Sequence, residues 1–289
     1  MNRRCFLVGG FAFAGVGAAA LADGGASPSA APLKVRFLGT GSTAKDTGPD
    51  KFGEKRRFSS VLVDGTVLFD FTAENREMLP KECRPETVFY THSHPDHFNA
   101  EVAVAFGIKR VYCHESWADA AERIFGKMAN GGVVPEVVPL SFGKAVEVNG
   151  LSVTSVPANH STKRNGERCS MYVIDKGATR LLYATDTCGI PRDALKYAGL
   201  ERNAARPLTA IIMEATAGVG YENSPELFFS HSSVDTVSRT VNALLATKRY
   251  CPPADRKVYI THLMRKCYAR RANLPPPLTM AHDGLEVAF

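Results

Sequence analysis

Residues 87–97 read TVFYTHSHPDH, a short apolar strand that runs directly into three histidines and an aspartate. His92 and His94 are two positions apart, so their side chains point to the same side of an extended backbone. The proline that follows keeps a helix from starting before the turn, and Asp96 and His97 then face a second point close by. Imidazole and carboxylate groups in this pattern are typical metal ligands. The stretch predicts two neighbouring metal positions at a strand end.

The alternative, a solvated polar loop, is disfavoured because the whole chain has only eight histidines. A site for two metals needs further ligands, and five histidines remain: His114, His160, His231, His262 and His282. His160 and His262 each follow an apolar strand, as His92 does, so these strand ends are expected to meet at one edge of the fold. His114 also follows a strand, and its position alone does not exclude it.

Short apolar strands alternate with helices on both sides of this stretch. Strands are predicted at residues 35–38, 60–63, 67–70, 87–90, 110–113, within 132–155, and at 170–174, 181–184, 210–213, 258–260 and 284–289. Helices are predicted at residues 73–79, 100–106, 116–128 and 233–247. Asn149-Gly150 is a strong hairpin turn. The pattern predicts an α+β fold in which two sheets pack face to face with helices outside.

The amino terminus is typical of an exported protein. Arg3-Arg4 precedes a short apolar stretch rich in glycine and alanine, which ends in an A-x-A pattern at residues 20–22. We expect a signal peptide of the twin-arginine type at residues 1–22, a linker at 23–33, one domain at 34–289 and a periplasmic or secreted product. An uncleaved anchor is the alternative, but the stretch is short for a spanning helix. No stable membrane insertion is expected after cleavage.

The net charge of +6 falls to +4 when the two signal arginines are removed. A mildly basic protein suits a small anionic substrate, whereas no basic face with interleaved aromatics predicts nucleic-acid binding. The polar segment 43–57 resembles a mobile loop whose basic residues, Lys51, Lys55, Arg56 and Arg57, guide an anion. The six cysteines beyond the signal have no CxxC spacing, which leaves free thiols and disulfides both open.

The chain resembles the metallo-β-lactamase superfamily over almost all of residues 34–289. The resemblance rests on residues 37–42 (FLGTGS), 91–97 (THSHPDH), 156–160 (VPANH), 182–187 (LYATDT) and 260–263 (ITHL). It implies a four-layer αββα sandwich and two divalent metal ions, for which Zn²⁺ is favoured and Mn²⁺ or Fe²⁺ are alternatives. By this resemblance one ion is held by His92, His94 and His160, the other by Asp96, His97 and His262, and Asp186 bridges the two.

Asp186 separates the branches of this superfamily. The commonest zinc β-lactamases have cysteine at this position, and a shift of the ligand to Cys188 is disfavoured. Residues 56–65, 68–70, 230–237 and 281–289 resemble the phosphodiesterase branch, which contains tRNA 3′-processing endonucleases and phosphoribosyl cyclic phosphodiesterase. The resemblance implies hydrolysis of phosphodiester bonds by a metal-bridging hydroxide that Asp96 orients. His231 would then donate a proton to the leaving group.

Alternatives remain at three levels. A lactonase or β-lactamase-type hydrolase would use the same two-metal site, and a non-catalytic metal- or ligand-binding protein would keep the ligands without hydrolysis. His231 could be a helix-start residue without substrate contact. Glu214, which follows a strand, either supports a ligand histidine or has a structural role. The oligomeric state is open, with a homodimer as one option.

Overall fold

The computed structural model describes residues 31–42, 55–201, 204–220, 230–264 and 274–289. The predicted signal peptide at residues 1–22 lies outside the described residues, as do Lys51, Cys267 and most of the predicted linker. Within the described ranges no helix is both long enough and apolar enough to cross a bilayer. Export and signal cleavage therefore stay predictions.

The first sheet has seven strands. In order across the sheet they are β14 (Glu286–Ala288), β1 (Lys34–Gly39), β2 (Ser60–Val63), β3 (Val67–Phe69), β4 (Thr87–Phe89), β5 (Arg110–His114) and β6 (Glu136–Leu140). From β3 to β6 neighbouring strands are parallel, whereas β14, β1, β2 and β3 pair antiparallel. The carboxyl ends of β3 and β4 therefore lie at the same edge.

The second sheet also has seven strands. In order they are β13 (Leu278–Met280), β12 (Val258–Thr261), β11 (Ala210–Glu214), β10 (Thr179–Ala184), β9 (Ser170–Lys176), β8 (Leu151–Pro157) and β7 (Ala145–Val148). The strands from β10 to β13 are parallel, and two antiparallel steps through β9 give β8 the same direction. Five strands, β8, β10, β11, β12 and β13, thus end at one edge.

Within the described residues, five helices flank the two sheets. They are α1 (Ala73–Arg76), α2 (Ala100–Phe106), α3 (Glu115–Ala129), α4 (Arg192–Tyr197) and α5 (Val234–Ala246). Alternate strand residues point to opposite faces, so Phe69 and Phe89 lie between the sheets while Leu68 and Val88 pack against α2 and α3. On the second sheet a separate apolar cluster packs under α4 and α5. The layers are helix, sheet, sheet and helix, which confirms the predicted αββα class.

Local sequence explains most element ends. Asn149-Gly150 and Asp64-Gly65 both adopt positive φ, which the primed hairpin turns require. The serine that caps α5 is Ser233, whose Oγ accepts from the backbone N–H of Thr236 at 3.1 Å. Gly39 ends β1 where a Cβ atom would overlap the carbonyl oxygen of Phe58. The glycine thus lets residues 57–59 lie directly against the first strand.

Several sequence predictions need correction. The helix predicted at 73–79 ends at Arg76, and residues 77–79 continue only as turns with bonds to the third residue back. α4 and β13 were not predicted, because elements of six and three residues show no clear periodicity. Leu33, assigned to the linker, is fully buried and pairs with Phe289, so the folded part begins before residue 34.

The cysteines of the described residues are all free thiols. These are Cys83, Cys113, Cys169, Cys188 and Cys251. Cys113 and Cys169 are buried, and burial raises the pKa of the Cys113 thiol to about 12. Of the two states that the sequence left open, free thiols and disulfides, this part of the chain has free thiols.

Candidate metal centre

The candidate site lies where the ligand-bearing strands of both sheets end. Residues 92–97 follow β4, and His160 follows β8. Asp186 follows β10, and His262 follows β12. Asp186 and His262 both have positive φ, 48° and 53°, which turns the chain sharply at the strand end. All seven residues predicted as ligands are brought together at this edge.

The first group of ligand atoms comes from His92, His94, His160 and Asp186. His92 Nε2 is 2.8 Å from His94 Nδ1, which in turn lies 3.2 Å from His160 Nε2. Asp186 Oδ2 is 3.2 Å from His92 Nε2 and 3.8 Å from His160 Nε2. Three imidazole nitrogens and one carboxylate oxygen therefore converge on one point, a donor set that suits Zn²⁺.

The second group comes from Asp96, His97, Asp186 and His262. The Nε2 atoms of His97 and His262 are 3.3 Å apart, and each is 3.6 Å from Asp96 Oδ2. Asp186 Oδ2 lies 3.0 Å from His97 Nε2, and Asp186 Oδ1 lies 2.9 Å from His262 Nε2. The carboxylate of Asp186 thus belongs to both groups, as the predicted bridge requires.

The Oδ1 atom of Asp186 supports a fit to metal ions. It is buried and makes no hydrogen bond, although His262 Nε2 is close. A buried carboxylate oxygen without a hydrogen bond is costly unless a cation compensates it. A divalent ion shared with His262 would supply that compensation.

A carboxylate behind the first sheet supports two of the ligand histidines. Asp70 is fully buried at the end of β3, and its Oδ2 accepts from His97 Nδ1 at 2.8 Å. The same carboxylate accepts from Thr91 Oγ1 at 3.0 Å, and Thr91 Oγ1 in turn accepts from His92 Nδ1 at 2.9 Å. Both histidines are thereby fixed with Nε2 facing the site, the tautomer that metal binding requires.

A second carboxylate repeats this arrangement behind the second sheet. Glu214 is fully buried and accepts from the hydroxyl of Thr216, whose Oγ1 accepts from His262 Nδ1 at 2.7 Å. Glu214 Oε1 also lies 3.1 Å from His231 Nδ1. Each sheet therefore supplies one buried acid, which reaches one histidine directly and another through a threonine. Glu214 has the supporting role that the sequence left open.

The charges around the second group favour a cation. Burial would lower the pKa of His97, but the carboxylates of Asp186, Asp70 and Asp96 outweigh it and raise the pKa well above its usual range. Burial also opposes ionisation of Asp186, yet His262 and His97 hold its pKa well below the ordinary value. Asp186 therefore stays charged, and metal ions between the same ligand atoms would balance its charge.

The environment of His92 is different. Burial and the neighbouring His97 lower the pKa of His92 to about 3, against the raising effect of Asp186. His92 is therefore a neutral imidazole at physiological pH, the form that binds a metal without first releasing a proton.

The site opens into a cavity of about 1130 Å³. It is lined by Phe58, Ser93, His94, Pro95, Asp96, His160, Thr162, Lys163, Arg164, Asp186, His231 and His262. His231 is 18% exposed and lies directly before α5, as predicted. Burial would lower its pKa, but the charge and hydrogen bond of Glu214 raise it. His231 thus lines the cavity from a position two residues before the cap of α5.

Other candidates from the sequence lie elsewhere. His114 Nδ1 caps α3 by accepting from Ser116 N at 3.1 Å, and His282 is bonded to its own loop. Cys188 is in neither ligand group, and its backbone N–H donates to the carbonyl of Asn159. Arg56 was expected in a mobile loop that guides anions. It is instead buried, with its guanidinium donating to Thr40 and to the carbonyl of Ala281.

Sequence reasoning missed the support around the ligands. Asp70, Thr91 and Thr216 have this role, and the backbone carbonyl of Ser230 pairs with His160 Nδ1 at 3.0 Å. The signal available was position, because Asp70 and Thr216 follow strands that end at the same edge as the ligands. Nothing in the sequence shows which histidine each would contact.

A family model described as a beta-lactamase superfamily domain matches residues 46–262. Among curated proteins, a metal-dependent hydrolase of Thermococcus onnurineus is 27% identical over 161 residues, or 54% of this chain. The match spans 62% of that relative's length.

Solved structures share the fold. A diphosphatase of the PhnP family superposes with a TM-score of 0.60 at 22% identity, over 89% of this chain and 98% of the other. The short form of human tRNase Z gives a TM-score of 0.60 at 16% identity, over 88% and 98% of the two chains. At these identities the likeness establishes the architecture alone.

Proposed function

Because the chain belongs to the metallo-β-lactamase superfamily, we propose that it is a metal-dependent hydrolase of phosphodiester bonds in a small anionic substrate. The observation that carries the proposal is the position of Asp186, which offers one carboxylate to both ligand groups. An oxygen ligand shared by two metals suits phosphoryl chemistry, in which two ions stabilise the attacking and leaving oxygens.

The donor set favours Zn²⁺, with Mn²⁺ or Fe²⁺ as alternatives. Histidine nitrogens dominate the first group, and the second combines two histidines with two carboxylates. When bound, a pair of such ions would lower the pKa of a water molecule toward neutrality and polarise the bond under attack.

The remaining roles fall to the side chains of the chain itself. Asp96, at the cavity wall, would accept a hydrogen bond from the attacking water and orient it. His231 Nδ1–H donates a hydrogen bond to Glu214, which leaves Nε2 available to contact the substrate. Because its pKa is raised, a fraction of His231 is protonated near neutral pH and can pass a proton to the leaving oxygen.

The comparisons support the proposal in two ways. The curated relative from Thermococcus onnurineus is described as a metal-dependent hydrolase. The two solved structures are described as a diphosphatase and a tRNase Z, both names of enzymes that act on phosphate linkages. We place the chain in the phosphodiesterase branch on these grounds together with Asp186 and His231.

Metal analysis and a substrate panel test the proposal. The purified protein reconstituted with Zn²⁺ should hold about two ions per chain, as a two-metal site requires. The panel contains bis(p-nitrophenyl) phosphate, cyclic nucleotides, a lactone and a cephalosporin. We expect turnover of the phosphodiesters.

Each other result has a definite meaning. Turnover of the lactone or the cephalosporin without any phosphodiester would replace the proposal by the lactonase or β-lactamase alternative. Metal uptake without turnover of any ester would indicate a binding protein. An Asp186→Cys variant sharpens the comparison, because sulfur at this position imitates the zinc β-lactamases and should lower phosphodiester turnover.

A further inference from the structure

Two cationic side chains line the cavity next to the metal ligands. Lys163 and Arg164 belong to the loop at residues 158–169 between β8 and β9, directly after His160. Both are exposed, and they share the cavity wall with His94 and Asp96. A substrate held at the ligand groups would therefore have these cations within the same cavity.

The loop that carries them is fixed to the metal-binding loop by Glu167. The Glu167 side chain is fully buried, and its oxygens accept from the backbone N–H of Ser93 at 2.7 Å and from Ser93 Oγ at 2.6 Å. It also accepts from Thr162 Oγ1 at 3.0 Å. Ser93 stands between the ligands His92 and His94. The position of the cationic pair is thus tied to that of the first ligand group.

The two cations keep donors available. Lys163 Nζ has no hydrogen bond or ion pair with any residue in the described ranges. Arg164 Nε lies 3.3 Å from Glu167 Oε2, which orients the guanidinium, and its two terminal nitrogens form no hydrogen bond with the described part of the chain. An oriented guanidinium with free terminal N–H groups matches the geometry of phosphate or carboxylate oxygens.

On the premise of the proposed function, we propose that Lys163 and Arg164 bind a second anionic group of the substrate, one that is not cleaved. The substrate class is then a phosphodiester that carries an additional phosphate or carboxylate. Lys163 supplies a mobile point charge, and Arg164 supplies an oriented pair of terminal N–H donors. Together they select substrates by the second anionic group and not by the scissile bond.

Matched synthetic substrates test this assignment. The probes are p-nitrophenyl alkyl phosphodiesters whose alkyl chain, in short, medium and long forms, ends in either a phosphate or a hydroxyl group. The Zn²⁺-reconstituted protein should prefer at least one phosphate-ended probe by about tenfold in kcat/KM, the effect of a charged hydrogen bond in a partly shielded site. Added salt should reduce the preference.

The variant Lys163→Ala should lose most of that preference through a higher KM for the phosphate-ended probes, with a much smaller change for the hydroxyl-ended probes. Lys163→Arg should restore it. Lys144→Ala is the matched control, because Lys144 is exposed and does not line the cavity. Arg164→Ala should also lower the preference for the phosphate-ended probes. An unchanged melting temperature would assign this loss to substrate recognition, whereas a lower one would indicate that the loop has been destabilised.

The two hypotheses fail in different ways. Hydrolysis of neither probe class by the metal-loaded protein would contradict the proposed function. Equal kcat/KM for phosphate-ended and hydroxyl-ended probes at every chain length would overturn the role of the pair alone. The role would also be overturned if the preference survived in both Lys163→Ala and Arg164→Ala.

Discussion

The Asp70→Asn variant tests whether the buried acid behind the first sheet controls metal affinity. The carboxylate accepts from three donors, namely the backbone N–H and hydroxyl of Thr91 and the Nδ1 atom of His97. An amide of the same shape offers one oxygen, and its NH₂ group must face one of these donors. We therefore expect the hydrogen bond that faces the NH₂ group to be lost and replaced by a repulsive contact between two donors.

The magnitude follows from this count. A hydrogen bond to a charged group contributes about 1.5–3 kcal/mol, and changes behind metal ligands lower metal affinity by about 10- to 100-fold. The upper half of that range is expected for Asp70, because the same acid orients His97 directly and His92 through Thr91. Affinity can be measured by competition with a chromophoric zinc chelator, and unfolding of the metal-free protein gives the separate effect on stability.

Asp175→Asn is the control. Asp175 is a mostly buried acid paired with Arg206 at 3.0 Å, and it lies near the starts of β8 and β10, at the edge of the sheet opposite the ligands. It should change stability without changing zinc affinity. If Asp70→Asn lost stability but bound both ions as tightly as the unaltered protein, Asp70 would only hold Thr91 in place, and the argument from ligand orientation would be refuted.

Four further expectations concern the site and its surroundings. His231→Ala should keep both ions but lower kcat by about 100-fold or more, with a smaller loss for p-nitrophenolate than for a poor leaving group; equal losses would exclude proton donation. Asp186→Asn should reduce the metal content, measured by atomic emission, and an unchanged content of two ions would contradict the bridge. Removal of metal by a chelator should lower the melting temperature and added Zn²⁺ should restore it, because the ions bind the folded state. His114→Ala should cost about 1 kcal/mol of stability as a lost helix cap with zinc affinity intact, and weaker zinc binding would show that His114 reaches the site.

The ligands could be predicted from sequence because they obey local rules. Four of them lie in one six-residue run, and the others directly follow apolar strands whose carboxyl ends meet. The layered architecture was predictable for a similar reason, since strands with apolar residues at successive positions require a packing partner on both faces.

The supporting residues could not be predicted because their partners are distant in the chain. Asp70 is 27 residues from His97, and Thr216 is 46 residues from His262. Arg56 was predicted to lie in a mobile loop because its segment is polar. It is instead buried, and its guanidinium donates to the carbonyl of Ala281, 225 positions away. Such pairings depend on how the sheets pack, which periodicity does not encode.

The division of the ligands between the two sheets has a consequence for assembly. The first group takes His92 and His94 from the loop after β4 but His160 and Asp186 from the second sheet, and the second group is divided in the same way. Neither half of the chain contains a complete coordination sphere. During synthesis, the second ligand group stays incomplete until His262 has been made. If the two groups bind metal ions as proposed, full loading would require that both halves have been made and have docked, and a half-built chain would not bind the full set of ions.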